Sequence, residues 1–259
     1  MSDTRIEEYA RLLYEAERTR KAIAPLTERD PALTVDDAYA IQLANVRRVT
    51  QMGHVISGKK IGLTSPGIQR QLGVSEPDYG HLFAAMECPS DRVSTEALLQ
   101  PKIEGEVAFV LGEDLPGGHV TPEDVRAAVE YVTAAFEIVD SRVADWKIKL
   151  VDTISDNASS GRYILGEIKL PPHRVDLPNE EMRLFKNGTL TEFGTGAAVL
   201  GDPCAAVAWL ANRLWAYGVT LNKGEVVLSG AFSAAPEARK GDVFEARFST
   251  LGVVRAEFV

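Results

Sequence analysis

Three glutamates of this chain lie in segments that are otherwise apolar. Glu104 and Glu106 stand in KIEGEVAFVL (102–111), and Glu137 is the only charged residue of YVTAAFEIV (131–139). Both segments have the pattern of strands, in which alternate residues share a face, so Glu104 and Glu106 project to the same side. The apolar residues after Glu106 predict burial on both faces. Two neighbouring buried carboxylates are costly unless one is protonated or a cation lies between them.

Three carboxylates that reach inward from two strands would suit a hard cation such as Mg²⁺ or Mn²⁺, which prefers oxygen ligands. Two alternatives stay open on the residues alone. The Glu-x-Glu pair can be a solvated strand face, or the glutamates can form a structural cluster paired with Arg142. Zinc is not favoured, because the four histidines (at 54, 81, 119 and 173) are scattered and lack ligand spacing.

Two further residues are candidates for proton transfer. Lys59 and Lys60 stand in a glycine-flanked strand, where only one of the pair can face inward. Whichever lysine faces inward can hold an anionic substrate or exchange a proton, whereas the alternative is a surface lysine on an edge strand. Asp78, between Pro77 and Tyr79, is the second candidate, and its alternative is a turn cap.

Two polar segments are candidates for substrate binding. VDTISDNASSG (151–161) is dense in hydrogen-bonding groups and includes Ser159, although plain turn chemistry explains such loops too. Ser229-Gly230 follows an apolar strand and can offer a hydroxyl and backbone N–H groups to a carboxylate, or can simply form a turn. The sequence has no GxSxG, Walker or GxGxxG motif.

The composition limits the classes of function. With 259 residues and 45% hydrophobic content, the chain can bury a large core. A net charge of −9 argues against binding to a nucleic-acid backbone. Two cysteines without a CxxC pair, Cys88 and Cys204, fit a reducing cytosol and structural roles. No apolar run is long enough to cross a membrane and no signal peptide is evident, so we expect a cytoplasmic protein.

The periodicity predicts an α+β protein with a helical N-terminal part (1–52) and a mixed-sheet catalytic domain (53–259), in which helices lie outside a curled sheet. Asn187-Gly188 predicts a type I′ hairpin. The predicted helices cover 5–22, 34–52 and 121–131, and a fourth helix begins at Asp202. The apolar face of this fourth helix carries Val207, Leu210, Leu214 and Tyr217. The predicted strands include 55–64 and 101–112, and the segment 66–86 is rich in turn residues.

Five segments of the chain together resemble the 2-keto-4-pentenoate (2-hydroxypenta-2,4-dienoate) hydratases and the related 4-oxalocrotonate (2-oxo-3-hexenedioate) decarboxylases. Both groups belong to the fumarylacetoacetate-hydrolase-like superfamily. The resemblance covers nearly the whole chain. It rests on GKKIGLTSPGIQRQLGV (58–74), EPDYGHLF (76–83), QPKIEGEVAFVL (100–111), FEIVDSRVADWKIKLVDTISDNASSG (136–161) and GAAVLGDPCAAVAWLAN (196–212).

The resemblance implies roles for matching positions. The family's metal ligands fall on Glu104, Glu106 and Glu137, its strand lysine on Lys60, and its Pro-Asp-aromatic-Gly motif on Asp78. Its Asp-Asn-Ala-Ser loop falls on residues 156–159. It further implies a bound Mg²⁺ or Mn²⁺, a small 2-oxo acid as substrate, a homo-oligomer, and association of the hydratase with its partner decarboxylase.

The resemblance implies a lyase of aromatic meta-cleavage catabolism that hydrates 2-hydroxypenta-2,4-dienoate to 4-hydroxy-2-oxopentanoate. Asp78-Tyr-Gly and residues 145–148 favour the hydratases. Residues 196–200 and 162–163 resemble the decarboxylases, and Asp202 replaces the histidine usual in both groups. Decarboxylation of 4-oxalocrotonate is therefore the alternative, and a catalytically silent metal-binding or scaffold subunit is a third possibility.

Overall fold

Residues 1–259 are described by this computed structural model, apart from the side chains of Ile68, Gln71 and Leu72. The predicted α+β class is confirmed, with helices packed around a curled, mixed sheet. The α-helices are α1 (Asp3–Thr19), α2 (Leu26–Arg29), α3 (Val35–Gln51), α4 (Pro66–Leu72), α5 (Pro122–Ala128), α6 (Leu150–Ser155) and α7 (Pro203–Trp215).

The larger sheet has six strands and carries the three glutamates. Its strands are β1 (Ile56–Gly62), β2 (Asp78–Phe83), β4 (Pro101–Leu111), β5 (Val129–Asp140), β6 (Ser160–Leu165) and β9 (Val226–Leu228). Their order is β2-β1-β9-β4-β5-β6, and the β1–β9 pair is parallel while the other pairs are antiparallel.

The smaller sheet has five strands and closes the other side of the core. Its strands are β3 (Arg92–Val93), β7 (Glu181–Lys186), β8 (Thr189–Thr195), β10 (Val243–Phe248) and β11 (Gly252–Phe258), in the order β3-β11-β10-β7-β8. The predicted hairpin between β7 and β8 is confirmed, since Asn187 and Gly188 both have positive φ, 51° and 80°.

The N-terminal helices form a small core of their own. Thr34 and Asp37 make a capping box at the start of α3, as the sequence predicts for this position. Helix α1 ends at Thr19 rather than continuing to 22, because Arg20 adopts the left-handed conformation at φ 56°. The two longer helices contact each other and α3 also packs on α6, so the division at residue 52 stays a prediction.

Three other boundaries differ from the prediction. The segment 66–86 is not all turns but contains α4 and β2; the strand was hidden because its buried positions include Asp78 and His81. Helix α5 stops at Ala128, where the chain turns directly into β5. Tyr217 lies beyond the end of α7 and is 49% exposed, so it is not part of the buried helix face.

No helix in the described chain is both long enough and apolar enough to cross a membrane.

Candidate metal centre and active site

The three glutamates meet where β4 and β5 lie side by side. Glu104 is directly opposite Glu137 in the antiparallel register, and Glu106 is opposite Ala135. Directly opposed residues project to the same face of a sheet, so all three carboxylates point to one side. One oxygen from each carboxylate lies within 4.8 Å of the others. The strand register therefore produces a three-carboxylate cluster.

The surrounding protein donates hydrogen bonds to only some of the carboxylate oxygens in the cluster. Glu106 and Glu137 are fully buried, and only Oε2 of Glu106 accepts a hydrogen bond, from the Gly230 N–H at 2.8 Å. Oε1 of Glu106 and both oxygens of Glu137 have no hydrogen-bond partner. The Lys60 ammonium lies 3.2 Å from Oε1 of Glu137, as an ion pair without hydrogen-bond alignment. Unsatisfied buried carboxylates are costly, and a divalent cation fits this donor set.

The pKa values in this cluster follow from burial among like charges. Burial raises the pKa of Glu104 and Glu106, and it raises the pKa of Glu137 to about 7. Burial would lower the pKa of Lys60, but the attraction of Glu137 and the neighbouring carboxylates outweighs it and raises that pKa overall. Without a cation, protons neutralise these carboxylates, so protons and a metal ion would compete for the same oxygens.

Lys60 is the inward member of the lysine pair. Its ammonium donates to the Ala158 carbonyl at 3.1 Å and pairs with Glu137. Lys59 projects to the opposite face, where its ammonium is 3.7 Å from Glu225. Both lysines are buried, so the alternative of a surface lysine is wrong for each.

Asp78 opens β2 and lies beside Lys60. It is opposite Gly62 in the strand register, whereas Lys60 is opposite Gly80. The carboxylate is 1% exposed and its Oδ1 has no hydrogen-bond partner. A Cβ on Gly62 would lie 2.2 Å from this oxygen, so only glycine leaves space for it. Burial raises the pKa of Asp78. The turn-cap alternative is wrong, because the residue is a buried strand position.

Arg142 does not pair with the glutamates. Its guanidinium binds Asp156, and its Nη1 also donates to the backbone oxygens of Asp140 and Ser160 at 2.6 and 2.7 Å. The alternative of an arginine-paired glutamate cluster is therefore wrong. Arg142 instead fixes the start of the loop at 156–159.

The loop 156–159 has a strained backbone that is held in place. Asn157, Ala158 and Ser159 all have positive φ, at 54°, 50° and 53°. The Asn157 side chain accepts from the His81 N–H at 2.8 Å and donates to the His81 carbonyl at 2.9 Å. Such strain persists only where contacts fix it, and it is common at binding sites. The loop thereby places the Ala158 carbonyl on Lys60 and the buried Ser159 beside the cavity.

Ser229 and Gly230 lie behind the carboxylates. The Ser229 hydroxyl is buried without a hydrogen-bond partner. The Gly230 N–H is already used by Glu106, and a Cβ on Gly230 would lie 2.3 Å from Oγ1 of Thr64. Neither residue lines the cavity described next. Their predicted contact with substrate stays a prediction.

A cavity of about 760 Å³ opens beside the cluster. It brings together Lys60, Asp78, Glu104 and Ser159. Sequence reasoning missed Lys102 as a site residue, although strand alternation places it on the same face as Glu104. It also gave no site role to Trp146. The rest of the wall is mostly apolar or small, and includes Val139, Trp146, Ile148, Ala198, Ala231, Phe232, Ala234 and Ala235.

The chain is similar to known proteins over its whole length. It is 46% identical to a 2-keto-4-pentenoate hydratase of Paraburkholderia xenovorans (strain LB400), covering 100% of this chain and 96% of the relative. It is 45% identical to a 2-hydroxyhexa-2,4-dienoate hydratase of Comamonas testosteroni, covering 100% and 99%.

Structural comparison agrees. The fold matches the 4-oxalocrotonate decarboxylase of Pseudomonas putida G7, solved with magnesium and adipate, at a TM-score of 0.97 and 35% identity, covering 100% of this chain and 99% of that one. The family model described as "Fumarylacetoacetate (FAA) hydrolase C-terminal" matches residues 76–259. The chain therefore belongs to the fumarylacetoacetate hydrolase family, alongside the 2-keto-4-pentenoate hydratases.

Proposed function

We propose that this chain is a hydro-lyase that adds water to 2-hydroxypenta-2,4-dienoate and forms 4-hydroxy-2-oxopentanoate in aromatic meta-cleavage catabolism. The observation that carries the proposal is the three-glutamate cluster, whose Glu104 lines one cavity together with Lys60 and Asp78. The identity of 41–47% to several hydratases over most of the chain supports the same reaction.

We further propose that Glu104, Glu106 and Glu137 hold a divalent cation. The 4-oxalocrotonate decarboxylase at 35% identity was solved with magnesium and with calcium, which supports a hard cation at the equivalent place. We propose Mg²⁺ or Mn²⁺ as the native ion. When bound, the ion supplies a Lewis acid for the substrate's 1-carboxylate and 2-oxygen.

The reaction requires proton transfers that residues of the chain can perform. The dienol loses the proton of its 2-hydroxyl and gains one at C5, which gives a 3,4-unsaturated 2-oxo acid. Water then adds its hydroxyl to C4 and a proton reaches C3, so the sum is one added water. Asp78 is our candidate for moving these protons, because it is a carboxyl group that lines the cavity beside Lys60, and burial raises its pKa.

Lys60 has a different role in this proposal. Surrounding carboxylates keep its ammonium protonated, so it can stabilise negative charge as it develops on the substrate. Its bond to the Ala158 carbonyl also ties the ammonium to the loop 156–159. Ser159 would orient the substrate from that loop.

Decarboxylation of 4-oxalocrotonate is the second candidate, favoured by the TM-score of 0.97 to that decarboxylase. It would need a group that binds a second carboxylate and no activated water. Sequence identity is higher to the hydratases, at 46% against 35%.

The decisive experiment follows the ultraviolet absorbance of freshly generated 2-hydroxypenta-2,4-dienoate with and without Mg²⁺ or Mn²⁺. We expect metal-dependent decay and a product heavier by one water. No decay there, together with CO₂ release from 2-oxo-3-hexenedioate, would assign the decarboxylase. No metal-dependent turnover of either compound would favour a silent scaffold.

The remaining properties are proposals from the family resemblance. We propose a cytoplasmic homo-oligomer that can associate with the partner decarboxylase. Cys88 and Cys204 are free thiols, which fits a reducing compartment. Light scattering of the purified chain, alone and mixed with the decarboxylase, tests both kinds of assembly.

A further inference from the structure

Lys102 is a half-exposed cation in the wall of the active-site cavity, and the proposed mechanism does not use it. It is half-buried on β4, two residues before Glu104 and on the same face. Residues two apart in a strand are separated by about 7 Å. Along this face exposure falls from Lys102 and Glu104, both half-buried, to Glu106, which is fully buried. Lys102 therefore stands at the outer end of the row of carboxylates.

The Lys102 ammonium is held by an aromatic ring rather than by an acid. It lies 4.5 Å from the centre of the Trp146 ring, which is close enough for a cation–π contact. Among the ion pairs of the described residues, none includes Lys102. Trp146 thus positions the charge, and no acid among the described residues pairs with the ammonium directly. Burial raises the pKa of Glu104, and the Lys102 charge opposes this rise from beyond ion-pair distance.

Hydrogen bonds with Gln100 fix the position of Trp146. Asp145 and Trp146 both have positive φ, at 58° and 54°, which aspartate tolerates but which is strained for the bulky Trp146. Gln100 holds the turn, since its Oε1 accepts from the Asp145 N–H and its backbone oxygen accepts from Nε1 of Trp146, both at 3.0 Å. This arrangement keeps the indole under the lysine.

The pair of Lys102 and Trp146 separates two cavities. Both residues line the active-site cavity of about 760 Å³ and a neighbouring cavity of about 500 Å³. The second cavity is also lined by Gln100, by Asp145 and by Arg239, which pairs with Glu237 of the same wall. The Lys102 side chain therefore borders both cavities.

We infer that Lys102, seated on Trp146, captures the carboxylate of the incoming 2-oxo acid and guides it to the glutamate cluster. This inference rests on the proposed function for the identity of the substrate. The protein carries a net charge of −9, which repels an anionic substrate as it approaches, and a cation at the outer end of the carboxylate row favours that approach. Lys60 does not serve there, because it is buried and paired with Glu137.

The test is the salt dependence of kcat/KM in Lys102→Met and Lys102→Arg, compared with the wild type. Salt is varied from about 0.01 M to about 1 M, over which the Debye length falls from about 30 to about 3 Å. We expect K102M to raise KM about 10-fold at low salt, to leave kcat within about 2-fold, and to flatten the salt dependence. K102R keeps the charge and the stacking and should restore most of the loss.

Lys147→Met is the matched control, since Lys147 is exposed on the same loop and pairs with Asp145 at 3.0 Å. It should behave as the wild type. Trp146→Leu should give a KM between those of the wild type and K102M, because Lys102 loses its cation–π contact but keeps its charge. An unchanged KM and salt slope in K102M would overturn the inference. So would weaker Mn²⁺ binding by K102M, because Lys102 would then act through Glu104.

A binding measurement separates this inference from the proposed function. Calorimetric titration of the Mn²⁺-loaded protein with pyruvate uses an unreactive 2-oxo acid, so it needs no turnover. We expect K102M to weaken pyruvate binding about 10-fold relative to wild type and K147M. If the wild type fails to hydrate the dienoate while this difference persists, the proposed function fails and the capture role stands. Equal pyruvate affinity in wild type and K102M contradicts the capture role.

Discussion

Glu104 and Glu137 lie directly opposite each other on the antiparallel strands β4 and β5, with their carboxylates on one face. Glu106 joins them from the next inward position of β4. Two of the three carboxylates are fully buried and three of their four oxygens accept no hydrogen bond. An arrangement of this kind costs folding free energy unless a cation neutralises it, so metal binding and stability are coupled.

The first prediction concerns Glu106→Gln. The substitution removes one buried negative charge and one oxygen ligand, so Mn²⁺ affinity should fall by about 100-fold. The metal-free variant should unfold at a temperature equal to or above that of the metal-free wild type, because like-charge repulsion is relieved. Calorimetric Mn²⁺ titration and thermal unfolding measure the two effects.

Glu130→Gln is the matched control for Glu106→Gln. Glu130 lies on β5, seven residues before Glu137, and is exposed. Its loss should change neither Mn²⁺ affinity nor the unfolding temperature. Wild-type Mn²⁺ affinity in Glu106→Gln would remove this glutamate from the metal site.

The second prediction is the pH dependence of stability with and without metal. Burial raises the pKa of Glu137 from 4.5 to about 7 in the folded, metal-free chain. Between these values the folded state binds more protons than the unfolded state, so metal-free stability should fall as pH rises from about 4.5 to about 7. The metal binds the deprotonated carboxylates, so the stabilisation by Mg²⁺ or Mn²⁺ should grow over the same range.

Thermal unfolding at pH 5.5 and pH 8, with and without metal, measures this coupling. These values lie about 1.5 pH units below and about one unit above the pKa of Glu137. We expect the metal-induced shift of Tm to be several degrees larger at pH 8. The same shift at both pH values would show that protons and metal do not compete at this cluster.

The third prediction concerns Asp78→Asn. The amide keeps the shape of the side chain but cannot exchange a proton, so kcat for hydration should fall by about 100-fold or more. KM should change little, because Asp78 is not expected to contribute to ground-state binding. Steady-state kinetics on the dienoate, with Mn²⁺ affinity as a second readout, provide the measurement.

Asp36→Asn is the control for Asp78→Asn, since Asp36 is an exposed aspartate in the first turn of α3, outside the cavity. Its kcat should match that of the wild type. A wild-type kcat in Asp78→Asn would exclude Asp78 from proton transfer and leave Lys60 as the remaining candidate.

Much of the three-glutamate cluster could be predicted from strand alternation alone. The spacing of Glu104 and Glu106 fixes a shared face, and an isolated Glu137 in an apolar strand indicates a buried partner. The direct opposition of Glu104 and Glu137 could not be predicted in this way, because the register depends on pairing between distant segments. Strand β2 was not predicted for the same reason, since its strand structure depends on pairing with β1.

The contacts of the charged residues were less predictable than their positions. Lys59 and Lys60 are adjacent and both buried, and only the fold shows which one meets Glu137. Arg142 is close to Glu137 in sequence, yet it turns to Asp156 and to the backbone of the loop 156–159. Tertiary contacts decide which charged side chains pair, and the periodicity of the sequence does not predict those contacts.

The fourth prediction concerns the buried pair of Arg142 and Asp156. Both side chains are almost fully buried, and burial raises the pKa of Asp156 to about 6 even though Arg142 opposes the shift. Arg142→Met would leave the Asp156 carboxylate buried without its partner, which typically costs about 3–5 kcal/mol of unfolding free energy. The loop 156–159 should also loosen, so kcat should fall through the displaced Ala158 carbonyl and Ser159.

The double variant Arg142→Met/Asp156→Asn separates the charge from the shape. It removes the unpaired carboxylate, so it should recover part of the lost unfolding free energy in urea denaturation. Activity should not recover to the same degree, because Arg142 also donates to the backbone oxygens of Asp140 and Ser160. Arg18→Met, in an exposed pair with Glu15, should change stability by less than about 0.5 kcal/mol. Full recovery of kcat in the double variant would show that charge balance alone, and not the placement of the loop, is what Arg142 contributes.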